Sequence, residues 1–354
     1  MLGMILGARA RPAPVVLPGL PRLPWAWAVA GLLALAGSCI VGVLVGPVHI
    51  SAGTVARALL GMSVDPGQAN ILWSLRFPRV VLGVLVGATL ALAGAAYQGV
   101  FRNALADPYL LGAAAGANLG ATLAIAFAPG GSFIGENSVP LAAFAGAGAA
   151  VFGAYALGRT VSGLRTGTGL ILAGVAVAAF FNAIQMYVQQ SQTGSIRQVY
   201  SWILGRLVTA GWDGVLLVLP YVALAAVVIL LHRRLLDALM VGEEEVTSLG
   251  ISVRRVRLVV VIAATLGTAA VVAVGGTIAF VGIIVPHTIR LLVGRSYRVV
   301  VPLSLLFGGA FLVLADTFAR TIVAPAELPI GVITAFIGAP FFIIVMRSTR
   351  MAAL

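Results

Sequence analysis

Few residues in this chain have side chains that could do chemistry, and they fall in a small number of places. Of its ten acidic residues, three are consecutive: Glu243, Glu244 and Glu245, inside LLDALMVGEEEVTSLGISVRR (235–255). Asp316 sits in the apolar run LVLADTFAR (312–320) with Arg320 one helical turn on, close enough to pair with it. An acid inside an apolar segment is the usual mark of proton or ion coupling, although a paired charge near a helix end is more often structural. His49, His232 and His287 are far apart, without HxxxH spacing or a neighbouring carboxylate, so no metal set is indicated. His287, in IIVPHTIR, reads as a packed or helix-end imidazole. Cys39 is the single cysteine, which excludes an intramolecular disulfide and a thiolate cluster. Lysine is absent, so a GxxxxGK[ST] phosphate loop cannot exist and any ATP use belongs to a partner.

The elements that must carry these residues are membrane helices. Hydrophobic residues make up 61% of the 354 positions and charged ones 9%, with a mean hydropathy of +1.10, whereas globular chains are about a quarter charged. Several apolar runs reach the roughly 20 residues that a spanning helix needs, and none shows the short alternation of a barrel strand. Ten spans are expected near 25–45, 79–99, 109–128, 138–158, 168–190, 213–231, 256–275, 278–293, 301–320 and 330–346. The fold class is therefore all-α, a polytopic transmembrane bundle, with residues 1–24 and 347–354 as cytoplasmic termini. Arginine placement agrees: sixteen of the 22 fall on the side of the termini and six (Arg57, Arg76, Arg79, Arg197, Arg206, Arg320) on the other, as the positive-inside bias requires of an even number of spans. The net charge of +12 is thus topological and not a nucleic-acid footprint. The segment 49–61 reads as an amphipathic helix outside the bilayer, capped by Ser51. GGT and Pro286 point to a broken or tilted helix at 278–293. Gly112, Gly116 and Gly120, and likewise Gly83 and Gly87, recur at the spacing that lets helices approach closely in lipid.

Several segments, taken in order, resemble the iron-chelate, haem and cobalamin permease family of binding-protein-dependent ABC importers. They are LRFPRVVLGVLVGATLALAGAAYQGVFRNALADPYLLG (75–112), WILGRL (202–207), GEEEVTSLGISVRRVR (242–257), GGTIAFVGIIVPHTIRLLVG (275–294) and LADTFARTIVAPAELPIGVITAFIGAPFFI (314–343). The resemblance implies a ten-span permease domain over 25–346, paired with a second, identical or similar copy in the cytoplasmic membrane. It also implies two ATP-binding subunits, which carry the ATP and magnesium, and a periplasmic or lipid-anchored substrate-binding protein. No cofactor is expected in this chain, and its partners include lipid but no nucleic acid.

Residue by residue, the resemblance places binding-protein docking at Arg76 and Arg320. It places a cytoplasmic gate at Asn103 and Leu105, with Thr166 and Thr168 from the next inner loop. ATPase coupling falls at 235–250, through Leu239, Gly242, Glu243, Glu244, Glu245, Leu249 and Gly250, where LLDAL and EEEVTSLG read as two short helices. The gate loop departs from the family pattern: Ala104 stands where proline is usual, which removes a φ restraint. GRSYR (294–298) and Val246 depart as well. The expected cargo is an iron(III)-siderophore first, with haem and cobalamin behind it. The competing reading is a secondary transporter coupled through Asp316; a channel finds no ring of charged residues to support it.

Overall fold

The computed structural model describes residues 23–127, 138–160, 167–207, 211–248 and 250–351, and every regular element among them is helical. The order is α1 (Trp25–Leu44), α2 (Ala52–Leu59), α3 (Pro66–Asn70), a π-helical turn (Ile71–Arg76), α4 (Phe77–Phe101), α5 (Ala113–Phe127), α6 (Ser138–Thr160) and α7 (Gly167–Ser191). There follow α8 (Ile196–Ile203), α9 (Asp213–Leu239), α10 (Glu243–Ser248), α11 (Val253–Gly275), α12 (Val281–Leu292), α13 (Tyr297–Ala319) and α14 (Ile330–Met351). Seven helices are long and apolar enough to cross a membrane, and three shorter apolar ones lie at Ala113–Phe127, Val281–Leu292 and Ile330–Val345. Each of the ten expected spans holds one of these helices. Residues 1–22 and 352–354 lie outside the described residues; the rest of the expected tail is the end of α14.

Burial separates centre from rim. The most apolar window of α4 is 83% buried, and those of α11 and α13 are 72% and 67%, whereas those of α1, α6, α7 and α9 are 22–28%. Small residues make the centre possible, because lipid tails give helices no hydrophobic reason to associate and close backbone approach must supply the attraction. A Cβ added at Gly87 would lie 2.3 Å from the Gly308 carbonyl oxygen of α13, and one at Gly94 would lie 2.0 Å from that of Gly282 in α12. Gly116 and Gly120 meet the α6 backbone in the same way, at 2.1 Å from Gly146 O and 2.0 Å from Ala142 O. Gly112 differs from the expectation that it shares their helix face. It precedes α5 with φ +82°, in a left-handed turn that an L side chain rarely adopts.

The amphipathic helix is present as α2, and Ser51 Oγ accepts from Thr54 N at 3.1 Å. The break expected near 278 is also present. α11 stops at Gly275, and after non-helical backbone with positive φ at Gly276 and Phe280, α12 runs for twelve residues, about 18 Å of rise against roughly 30 Å of hydrocarbon. Non-helical backbone at such depth must be satisfied by protein. Here Tyr109 OH donates to Ile278 O at 3.1 Å and accepts from Ile278 N at 3.3 Å, and Thr277 Oγ1 donates to Asn118 Oδ1 at 2.7 Å.

One expectation fails at the end of α9. LLDAL is not a separate helix but the last turns of α9, which runs unbroken from Asp213 to Leu239. No glycine or proline interrupts 221–241, and buried Val222, Ala225, Ile229, Leu236 and Leu239 continue one stripe. Only α10 is a separate short helix.

Candidate functional site

On the side expected to face outward, the structure gathers five charged residues, Arg76, Arg79, Asp316, Arg320 and Glu327, near the end of α1. A helix leaves its last carbonyls without intrahelical donors, and α1 has no basic residue in its own last turn. Two arginines distant in sequence fill that need. Arg76 donates to Val43 O at 2.7 Å, to Leu44 O at 3.1 Å and to Val48 O; Arg320 donates to Gly42 O. Their cationic groups also suit the negative end of the helix dipole. Both are interior, 4% and 3% exposed. The two positions expected to dock the binding protein are thus interior here, with Arg76 Nη1 and Nη2 and Arg320 Nη2 donating to carbonyls at and just beyond the end of α1.

Asp316 is likewise held more firmly than its own helix suggests. Arg320 Nε lies 3.7 Å away, but the principal partner is Arg79 of α4, whose Nε and Nη2 donate to the carboxylate at 2.8–3.1 Å. Arg79 also donates to both oxygens of Glu327 at 3.0 Å. Partial burial in the loop after α13 pushes the Glu327 carboxyl up, but the hydrogen bonds and charge of Arg79 outweigh it and hold the group below its ordinary value. Of the six arginines expected on the outer side, Arg57, Arg197 and Arg206 are exposed.

The loop between α4 and α5, expected on the inner side, forms a compact turn. Arg102 ends α4 in the left-handed region at φ 51°. Asn103 Oδ1 then accepts from Leu105 N at 3.0 Å, and Asn103 O from Ala106 N at 3.1 Å. This side-chain turn does locally what proline would have done by fixing φ, so Ala104 does not leave the loop shapeless. Asn103 is exposed and Leu105 half-buried. Asp107 accepts from Tyr109 N at 2.8 Å, and burial pushes its carboxyl up to about 6 despite that bond. Thr166 lies outside the described residues; Thr168 falls in the first turn of α7, and its side chain lies outside them too.

The coupling segment divides into an anchor and an exposed edge. Leu239 and Val246 are each 1% exposed and belong to the main core, while Glu244 and Glu245 are exposed. Gly242 separates α9 from α10, and Gly250, at φ +78°, follows α10 in the conformation that a helix stop requires. Leu249 and the side chain of Glu243 lie outside the described residues.

Between these two surfaces lies a polar cluster not singled out from sequence. Gln98, 1% exposed, donates to Gly282 O at 3.0 Å and to Ala106 O at 3.3 Å, and accepts from Arg290. The Arg290 guanidinium lies 5.5 Å from the ring centroid of Tyr297, and Asp237 accepts from the backbone of that tyrosine. A lone glutamine and arginine in apolar runs were the available signal, but their partners are distant in sequence. Among the described residues no group of His, Cys, Asp and Glu could hold a metal ion, and His287 stacks edge-on against Phe341 at 5.9 Å.

Comparison with known proteins identifies the family to which such a chain belongs. The family model described as the FecCD transport family matches residues 20–348. The cobalamin import system permease protein BtuC of Halobacterium salinarum is 42% identical over 315 residues, covering 89% of this chain and 84% of that one. An ABC transporter permease protein of Bacillus subtilis, YvrB, is 38% identical over 325 residues, 90% of this chain and 92% of its own length. A solved structure described as an inward-facing conformation of a metal-chelate type ABC transporter superposes with a TM-score of 0.81 at 26% identity, over 92% of this chain and all of the other. With the ten apolar helices in place and the match running from the first to the last of them, the chain belongs to the FecCD transport family of ABC transporter permeases.

Proposed function

We propose that this chain is the membrane subunit of a binding-protein-dependent importer of a bulky metal–organic chelate in the cytoplasmic membrane. Two identical copies enclose the path, two ATP-hydrolysing subunits dock on the cytoplasmic side, and a receptor protein delivers cargo outside. The observation that carries this reading is the division of the coupling segment: α10 presents Glu244 and Glu245 to solvent while Val246 and Leu239 root it in the core. A push on such an element is transmitted and not absorbed. The similarity to a cobalamin permease puts a corrinoid beside an iron(III)-siderophore as the first cargoes to assay, with haem next.

The first contact with the receptor falls to Arg57, Arg197 and Arg206, which are exposed, whereas Arg76 and Arg320 are interior and held at the end of α1. Arg206→Glu and Arg197→Glu should weaken docking without loss of thermal stability, whereas Arg76→Glu should lower stability first. Asp316 does not favour the ion-coupled alternative, since it is held by two arginines near the outer end of α13. The deciding experiment is uptake into proteoliposomes. Labelled cobalamin or ferric siderophore should enter only with receptor, ATPase and ATP together; uptake by this chain alone under a proton gradient would overturn the proposal.

A further inference from the structure

We propose that Gln98, Arg290, Tyr297 and Asp237 form a relay that ties the cytoplasmic gate loop to the ATPase-facing segment; the inference rests on the permease reading above and names the residues through which that motion reaches the gate. At one end is Asp237, two residues before the buried Leu239 and five before Gly242. Its carboxylate leaves α9 and closes on the start of α13, accepting from Tyr297 N and from Ser296 Oγ at 2.7 Å, with Arg298 Nε at 3.4 Å. An acid on the unpaired amides of a helix start is held by both charge and hydrogen bonds. Displacement of the α9 end therefore moves the start of α13.

Tyr297, 2% exposed, passes the displacement inward. Its ring lies under the Arg290 guanidinium, and its hydroxyl accepts from Arg290 Nη2 at 3.5 Å. The same Nη2 donates to Gln98 Oε1, whose amide nitrogen in turn donates to Ala106 O in the gate loop and to Gly282 O in α12. Gln98 has no polar partner to spare: both ends of its amide are used, and only an amide can accept from the arginine while donating to two carbonyls. Close packing keeps the chain stiff. A Cβ on Gly99 would lie 3.1 Å from both Leu236 Cδ2 and Tyr297 Cε1, and one on Gly282 would lie 2.6 Å from Pro108 Cδ. The gate loop, α4, α9, α12 and α13 thus meet without slack at one polar cluster. These four are positioning residues; none is expected to touch cargo or ATP.

Gln98→Glu isolates the link, because a carboxylate still accepts from Arg290 but donates to neither Ala106 O nor Gly282 O. Hydrogen exchange of the full chain in lipid nanodiscs should then show amides 102–107 exchanging at least fivefold faster. Asp237→Ala, which touches none of that loop, should accelerate the same amides, and the double variant should be no faster than the faster single one. Loosening by Asp237→Ala that stays confined to α9, α10 and the start of α13, with 102–107 unchanged, would overturn the relay. Should Asp237→Ala fail to fold, Asp237→Asn decides by the same readout. In the reconstituted importer Gln98→Glu should keep ATP hydrolysis within twofold while cargo delivered per ATP falls at least tenfold; hydrolysis and uptake falling together would mean a merely structural role and would also overturn it. The exchange measurement needs neither ATPase nor receptor, so its outcome is separable from that of the permease reading.

Discussion

Asp316 shows how far a residue's role depends on neighbours that its sequence position does not reveal. The i, i+4 pair with Arg320 was legible, yet the short contacts come from Arg79, 237 positions away. Removing one partner from a buried ion pair leaves the other charge uncompensated, at a cost of about 3–5 kcal/mol. Asp316→Ala should therefore lower the unfolding temperature in detergent sharply, and added salt should change that loss little, because burial shields the pair from counterions. Asp107 gives a pH prediction. Its folded pKa of about 6 lies above the ordinary value of 3.8, so the folded state binds more protons between those pH values and stability falls as pH rises through the window. Asp107→Asn should flatten that dependence and stabilise the protein at pH 7 by about 1–2 kcal/mol, the group being only half-buried; melting curves at pH 5 and pH 7 check both. Asn103 and Leu105, which form the turn after α4, stood out from the loop pattern, whereas Gln98 and Arg290 did not, since an isolated polar residue in an apolar run does not name its partner.

Among the elements, glycines separate contacts that hold the bundle from those that do not. Gly116 and Gly148 both look like small-residue packing positions, but a Cβ at Gly116 would strike α6 backbone while one at Gly148 meets nothing within 4 Å. Gly116→Val should cost about 2–3 kcal/mol by overpacking, and Gly148→Ala should be neutral or slightly stabilising; thermal melts of the two variants side by side test the distinction. The coupling segment makes a matching point. Periodicity in LLDAL reads equally as a new helix or as the end of an old one, and the structure takes the second because nothing in 221–241 breaks α9. α10 alone then carries the exposed acids. Glu244→Arg with Glu245→Arg should leave receptor docking intact while releasing the ATPase or reducing uptake per ATP at least tenfold; unchanged coupling would return α10 to the status of a solvated loop.

For the whole molecule, charge and apolar surface are sorted by face. The exposed outer arginines predict receptor docking that weakens about tenfold between 50 and 500 mM salt, measured as a Kd shift, because exposed charges are screened. The rim helices expose large side chains such as Phe180 and Tyr187 of α7, at 63% and 74%, surface suited to lipid and to a second copy. The membrane class, the ten apolar helices, the break before α12 and the family were all legible in the residues alone, because hydropathy, glycine and proline are local signals that bilayer thickness converts into geometry. The packing of the helices, by contrast, is what puts Arg76 and Arg320 at the end of α1, sets Arg79 against Asp316, and lets Gln98 join the loop after α4 to α12. Those pairings follow from which helices pack together, and contacts that are mostly between residues 28 to 278 positions apart leave no periodic trace in a chain whose spans are all apolar.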